Sequence, residues 1–116
     1  MANTFERSFK SIPNANQLYD CYTAPSSIGN KATVIGLTIC NVNASGNAIT
    51  VKAQACDYQD SSAAYHLAFN TPIAAGGTLV LVGGDQKLVL EYLDKIKVSC
   101  NTASSAEVIV SVLEIT

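Results

Sequence analysis

Residues 71–100, TPIAAGGTLVLVGGDQKLVLEYLDKIKVSC, decide the fold class of this chain. Three short apolar runs are separated by Gly-Gly-Asp and by a short acidic turn, a spacing typical of antiparallel strands. We therefore predict that residues 83–85 reverse the chain into a hairpin and that residues 93–95 form the next turn. The stretch contains no catalytic motif, and its role is predicted to be structural.

The same pattern of short strands extends outward in both directions. Residues 32–42 (ATVIGLTICNV) are apolar on both faces, which predicts a central strand with Gly36 at a bulge or a close backbone approach. The turn-forming run at residues 43–47 is expected to join it in a hairpin to residues 48–56. Further strands are predicted at residues 64–70 and 107–115. Many short strands without helical periodicity predict an all-β fold, a single antiparallel β-sandwich of jelly-roll-like type.

A hydrophobic core follows from the residues that share one face of each predicted strand. Its expected members are Ile35, Leu37, Ile39, Val51, Leu67, Phe69, Leu79, Leu81, Leu88, Leu90, Ile96, Val98, Val110 and Val112.

The first twelve residues form a segment of their own. Between residues 4 and 11, side chains alternate and place Phe5, Arg7 and Phe9 on one side. We expect residues 1–12 to be either an N-terminal arm or an edge strand, followed by a β-sandwich domain over residues 13–116. Such a segment can pair with a neighbouring subunit as readily as with its own sheet.

Composition limits the classes of partner. The chain has 116 residues, of which 48% are hydrophobic and only 14% charged, as expected for one globular domain with a sparsely charged surface. We assign part of that surface to an interface. A net charge of −2 offers no basic footprint for nucleic acid, and no apolar run reaches the roughly 18 residues that span a membrane. Because Glu6, Arg7 and Lys10 interrupt the N-terminus, we predict no signal peptide and synthesis in a cytoplasm.

The four cysteines, Cys21, Cys40, Cys56 and Cys100, leave two interpretations open. In an exported protein an even set indicates disulfides, whereas a chain without an export signal is expected to keep free, reduced thiols. A disulfide within or between subunits therefore stands beside the reduced form. No two cysteines lie two to four residues apart, so no metal site is predicted.

No pattern indicates an enzyme. The sequence lacks a nucleophile elbow, and His66, the single histidine, projects opposite the aromatic side of its strand. The paired glycines are expected to form turns, since no Gly-Lys-Ser/Thr follows them. Glu91 and Asp94 are interpreted as two solvated acids at a strand end. We predict no catalytic residue, cofactor or metal.

Aromatic side chains suggest a binding surface of another kind. We expect a subunit interface to include Phe5, Arg7, Phe9, Tyr19, Tyr22 and Tyr58, because aromatic residues and arginine are enriched at interfaces. The alternative is a sugar-binding module that uses the five tyrosines as flat faces. The absence of tryptophan favours the interface.

Four segments of the chain together resemble a known group of proteins. They are VIGLTICNVNA, ITVKAQA, residues 65–100 and the closing AEVIVSVLEIT. Their order resembles that of small virion structural proteins of tailed bacteriophages, notably cyanobacterial phages, from about Thr33 to Thr116.

The resemblance implies a non-enzymatic virion component that is made in the host cytoplasm and assembles in multiple copies on the head, neck or tail. A capsid decoration or cement protein is one such role. The implied partners are other copies of the chain, in a homo-oligomer, and virion proteins such as the major capsid or tail proteins. The sugar-binding alternative corresponds to a host-attachment module of a phage tail or fibre.

Overall fold

The computed structural model describes residues 2–116, in which nine strands and a single turn of 3-10 helix (Tyr58–Asp60) follow one another. The strands are β1 (Asn3–Ile12), β2 (Tyr19–Thr23), β3 (Lys31–Asn41), β4 (Ile49–Asp57), β5 (Ala63–Ile73), β6 (Thr78–Val82), β7 (Leu88–Glu91), β8 (Lys95–Cys100) and β9 (Ala106–Ile115). Within these residues no helix is long and apolar enough to cross a membrane.

The strands form two antiparallel sheets. Sheet I has the order β1-β9-β3-β6, with β7 also paired to β3, and sheet II has the order β2-β8-β4-β5. Most connections cross from one sheet to the other; only β4–β5 and β6–β7 stay within a sheet. If β6 and β7 are counted as one strand, each sheet has four strands, as in a jelly roll. The predicted all-β sandwich is confirmed.

The hairpin predicted around residues 43–47 is wrong. β3 pairs with β9, β6 and β7 in sheet I, whereas β4 pairs with β5 and β8 in sheet II. The turn residues are present, but they carry the chain across the sandwich. A turn signal fixes a change of direction and does not fix the sheet in which the next strand finds its partner.

The hairpin predicted at residues 83–85 is also wrong. β6 pairs with the second half of β3, from Leu37 to Cys40, and β7 pairs antiparallel with its first half, from Lys31 to Val34. The two strands therefore run in the same direction along one side of β3. Residues 83–87 form a loop that interrupts a single edge, with Gly84 at the positive φ of 61° that this turn requires.

A bulge in β3 explains one error in the predicted core. The register between β3 and β9 shifts between Val34 and Gly36, which confirms the bulge expected at Gly36. The shift turns Val34 into the core, where it is fully buried, and leaves Ile35 only half-buried. Ile35 was therefore wrongly assigned to the core.

Phe69 is the second error, since 60% of its surface is exposed. The register between β4 and β5 shifts twice, after Val51 and after Ala53. Ala68 consequently takes the buried position and Phe69 the outer one.

The rest of the predicted core lies between the sheets. Eight of its members are buried: Leu37, Ile39, Val51, Leu90, Ile96, Val98, Val110 and Val112. Four others pack half-buried against them: Leu67, Leu79, Leu81 and Leu88. Large side chains that the prediction omitted complete the core: Ile12, Val34, Ile49, Val82 and Val108.

The N-terminal segment belongs to the sandwich. From Asn3 to Ile12 it forms β1, which pairs with β9 through ten consecutive residues at the edge of sheet I. Met1, the first residue of the predicted arm, lies outside the described residues.

Candidate assembly surface

Two rows of side chains cross the outer face of sheet I. Because Val108, Val110 and Val112 of β9 point into the core, their neighbours Ile109 and Leu113 point outward. Cross-strand register extends the first row through Phe9, Ile109, Thr38 and Val80. It extends the second through Phe5, Leu113, Thr33 and Val89.

These rows leave large apolar side chains open to solvent. The exposed fractions are 74% for Phe5, 61% for Phe9, 61% for Val80, 61% for Val89 and 48% for Ile109. We call these five residues the apolar outer face. Side chains on the solvent-facing side of an antiparallel sheet are normally polar. An apolar surface at this position is typical of an interaction site.

An open depression separates the two rows. Arg7 and Ser111, which are in register across β1 and β9, line its middle. The cavity has a volume of about 670 Å³ and is also lined by Phe5, Glu6, Ile35 and Val112. The Arg7 guanidinium carbon lies 4.2 Å from the centre of the Phe9 ring, so the single cation of this region stacks on the first row.

The outer face of sheet II has the opposite character. Register across β2, β8, β4 and β5 gives a polar row of Asp20, Lys97, Gln54 and His66. Asp20 accepts from Lys95 at 2.9 Å and lies 3.7 Å from the Lys97 ammonium.

The exposed Phe69 of sheet II is itself partly covered. The Lys52 ammonium lies 5.2 Å from its ring centre, and the His66 ring meets it edge-on at 4.9 Å. His66 also contacts Gln54, with 3.2 Å between their Nε2 atoms. No acid partner that would orient a catalytic histidine contacts it among residues 2–116.

Of the six predicted interface residues, the structure brings together Phe5, Arg7 and Phe9 on the outer face of sheet I. Tyr19 and Tyr22 instead pair with the buried Val98 and Ile96 and so lie on the inner side of β2. The Tyr19 hydroxyl donates to Gln17 at 2.9 Å.

Tyr22 links the two sheets, because its hydroxyl donates to the Glu114 carboxylate of β9 at 2.5 Å. Burial and this hydrogen bond both raise the pKa of Tyr22 above its ordinary value. Tyr58 lies elsewhere, in the β4–β5 connection, where its ring meets Tyr92 edge-on at 5.9 Å. Tyr19, Tyr22 and Tyr58 therefore do not join Phe5, Arg7 and Phe9 on the outer face of sheet I; on the inner side, the Lys10 ammonium of β1 lies 5.4 Å from the centre of the Tyr19 ring.

All four cysteines have free thiols in the structure. Cys21, Cys56 and Cys100 are buried, whereas Cys40 is half-buried and pairs with the outward-facing Thr78 and Glu107. Burial raises the pKa of the Cys21 thiol to about 12, so this thiol stays protonated and unreactive near neutral pH. Among the described residues, no three potential metal ligands cluster.

Asp94 is not a solvated acid, contrary to the prediction. It is 9% exposed, and its two carboxylate oxygens accept from the backbone N–H groups of Tyr58 and Glu91, each at 2.9 Å. Glu91 is exposed as expected, and hydrogen bonds from Lys31 and Gln59 lower its pKa. Asp94 therefore fixes two connections at one end of the sandwich.

Asn41 has the same role at the other end of β3, and the sequence analysis did not single it out. Its buried side-chain amide donates to the carbonyl groups of Asn47, Ile73 and Ala74 at 2.9–3.2 Å. Its side-chain oxygen accepts from the Asn43 N–H at 2.9 Å. Together these bonds tie the β3–β4 and β5–β6 connections to one side chain.

Comparisons with known proteins find a similar fold but no family to which the chain can be assigned. No family model matches the chain, and no curated protein does. One similar solved structure comes from Bacillus endospore appendages, which form a novel family of disulfide-linked pili. It is 11% identical with a TM-score of 0.53, and the match covers 98% of this chain and 88% of that one. This similarity extends to the fold alone.

Proposed function

We propose that this protein is a non-enzymatic structural subunit that assembles in multiple copies, as a component of a bacteriophage particle on its head, neck or tail. The apolar outer face of sheet I carries the proposal. Monomeric proteins rarely leave large contiguous apolar patches in water, and such patches mark interaction sites. Here five large apolar side chains, 48–74% exposed, share one sheet face.

The energetics favour association through this face. Complete burial of a Val, Ile or Phe side chain contributes about 1.5–3 kcal/mol. Covering the five together offsets much of the cost of association, which is on the order of 4–15 kcal/mol. Two of the charged side chains beside these five residues are already paired: Arg7 stacks on Phe9, and Lys31 lies 3.3 Å from the Glu91 carboxylate, which reduces the unpaired charge that must be dehydrated.

Other observations support the choice of particle and partners. The resemblance of four segments to phage virion proteins supports a virion and, as partners, other copies of the chain and the major capsid or tail proteins. The similarity in fold to a pilus protein supports repeated assembly in general. A sugar-binding role has less support, because Tyr19 and Tyr22 lie on the inner side and only Tyr58 and Tyr65 are strongly exposed.

Two measurements on the protein test this function. Sedimentation of the purified chain over a concentration series should show oligomers, and antibody labelling of purified phage particles should show a regular, repeated position by electron microscopy. A chain that remains a monomer at high concentration and is missing from the particles would overturn the proposal. Saturable binding to host-surface glycans that Tyr65→Ala abolishes would favour the sugar-binding role instead.

A further inference from the structure

The two sheets end in four edges, and three of these are interrupted. On sheet II, β2 has five residues with a register shift, and β5 contains Pro72 and is itself shifted twice against β4. On sheet I, residues 83–87 break the edge formed by β6 and β7. Short length, proline and irregularity are three of the devices that prevent an edge from pairing with another chain, and charged side chains are a fourth.

β1 has none of the first three devices, and its charged side chains, Glu6, Arg7 and Lys10, include both signs. It contains ten residues without proline and pairs with β9 in one unbroken register. Ala2 and Thr116 exchange both backbone hydrogen bonds, at 2.8 and 2.9 Å. Because such pairs alternate in an antiparallel ladder, the odd-numbered residues of β1 direct their N–H and C=O groups to the free edge.

We propose that this edge pairs antiparallel with β1 of a second copy of the chain, about a two-fold axis that lies midway between the two copies of Ser8. The inference rests on the proposed function and specifies its first contact. In this register Glu6 lies opposite Lys10 of the second copy, and Lys10 lies opposite its Glu6. Two pairs of opposite charges therefore flank the axis.

Charge distinguishes this register from its neighbours. A two-fold axis perpendicular to the sheet must place one residue directly opposite its own copy, since directly opposed side chains lie on the same face. If that residue is Glu6, Arg7 or Lys10, two like charges lie opposite each other. If it is Phe5 or Phe9, no opposite charges are paired, so Ser8 gives the complementary arrangement.

The same register also brings side chains of the two copies together on the outer side of the sheet. Arg7 lies opposite Phe9 of the second copy, beside the ring that its own chain already supplies at 4.2 Å. Sheet I then continues across two copies, and their apolar outer faces become one surface. The dimer thus doubles the area that further subunits can cover.

Proline substitution tests the edge without disturbing the ladder to β9. Arg7→Pro removes an N–H group that faces away from β9, so the chain should fold but lose the dimer in sedimentation experiments. Arg7→Ala retains the N–H group and should weaken the dimer only several-fold. A dimer that survives Arg7→Pro overturns the proposal.

Charge reversal tests the register. Glu6→Lys and Lys10→Glu should each weaken the homodimer about tenfold, because both symmetric pairs become repulsive. The double variant, or an equimolar mixture of the two single variants, should restore association, since opposite charges again face each other. Failure of both combinations to restore it would overturn this register.

The outcomes separate the two proposals. If oligomers persist unchanged in all β1 variants, the edge pairing is wrong and assembly through another surface stands. If the unmodified chain is a monomer and is missing from particles, both are wrong.

Discussion

The outer faces of the two sheets occupy equivalent places in the sandwich and have opposite chemistry. A row across sheet I reads Phe9, Ile109, Thr38, Val80, whereas a row across sheet II reads Asp20, Lys97, Gln54, His66. Folding requires only the inner side chain of each alternating pair to be apolar. The outer side chain is free of that requirement, so an apolar one points to a partner.

The largest expected effect is on stability and comes from removing Asn41, which ties two connections between the sheets together. Asn41→Ala leaves the buried Ile73 carbonyl, two partly buried carbonyl groups and one N–H group without their side-chain partner, and we expect a loss of about 3 kcal/mol in the free energy of unfolding. Urea unfolding measures it. Asn47→Ala, an exposed position in the same connection, is the control and should change stability by less than about 0.5 kcal/mol. Equal effects would contradict the role of Asn41.

The next effect should distinguish the faces from each other. Ile109→Lys places a charge in the middle of the apolar outer face and should weaken self-association by at least about tenfold, because a charge would have to be buried. Gln54→Lys adds the same charge to sheet II and should leave association unchanged. Light scattering of both variants, with unfolding curves to confirm intact folds, gives the comparison. Equal behaviour of the two would mean that the faces are not functionally different.

A pH titration probes the sheet II side. The Cys21 thiol has a pKa of about 12 in the folded chain against 9.0 ordinarily, so between these values the unfolded chain releases a proton that the folded chain retains. Stability should therefore fall as pH rises from about 9 to about 12, by up to about 1.4 kcal/mol per pH unit. Thermal unfolding in this range measures the slope. Cys21→Ala should remove the slope between about pH 9 and pH 10 and reduce it at higher pH, where Tyr22, whose pKa is also raised, contributes as well. An unchanged slope would assign it to groups other than Cys21.

The smallest effect is expected on the polar row itself. Asp20→Ala removes the ion pairs with Lys95 and Lys97, whose side chains are all partly exposed. The free energy of unfolding should therefore fall by less than about 1 kcal/mol, and this loss should shrink with added salt. Unfolding at low and high ionic strength checks this. A larger loss that salt does not reduce would show that Asp20 acts through packing.

Alternation in the sequence was enough to predict the fold class and most of the core, and it placed Phe5, Arg7 and Phe9 on one side of β1; the expectation that the outer side of this strand is mostly polar was wrong. It failed where register shifts. The bulge beside Gly36 exchanged Ile35 for Val34, and the shifts between β4 and β5 exchanged Phe69 for Ala68. A bulge changes the face of every residue beyond it, and the number of bulges depends on the partner strand.

Long-range partners account for the other differences. Val80 and Val89 join the surface only because β6 and β7 lie end to end along β3, which two ordinary turn glycines do not indicate. Asn41 and Asp94 are both buried, and each forms a hydrogen bond to a connection that is distant in sequence, Asn41 to the Ile73 carbonyl and Asp94 to the Tyr58 N–H group. Single-strand patterns contain no information on these contacts. In contrast, the outward position of Ile109 and Leu113 was already present in the alternation of residues 107–115.

The place of β9 in sheet I has a consequence for the order of events during synthesis. β9 is the last of the nine strands to leave the ribosome, yet it lies between β1 and β3. Until β9 emerges, β1 has no strand in sheet I to pair with, and β1 and β3 lack the strand that lies between them. Folding must wait for contacts that are far apart along the chain, which makes it slow. The same delay keeps β1 from forming an assembly-competent edge before β9 has been made.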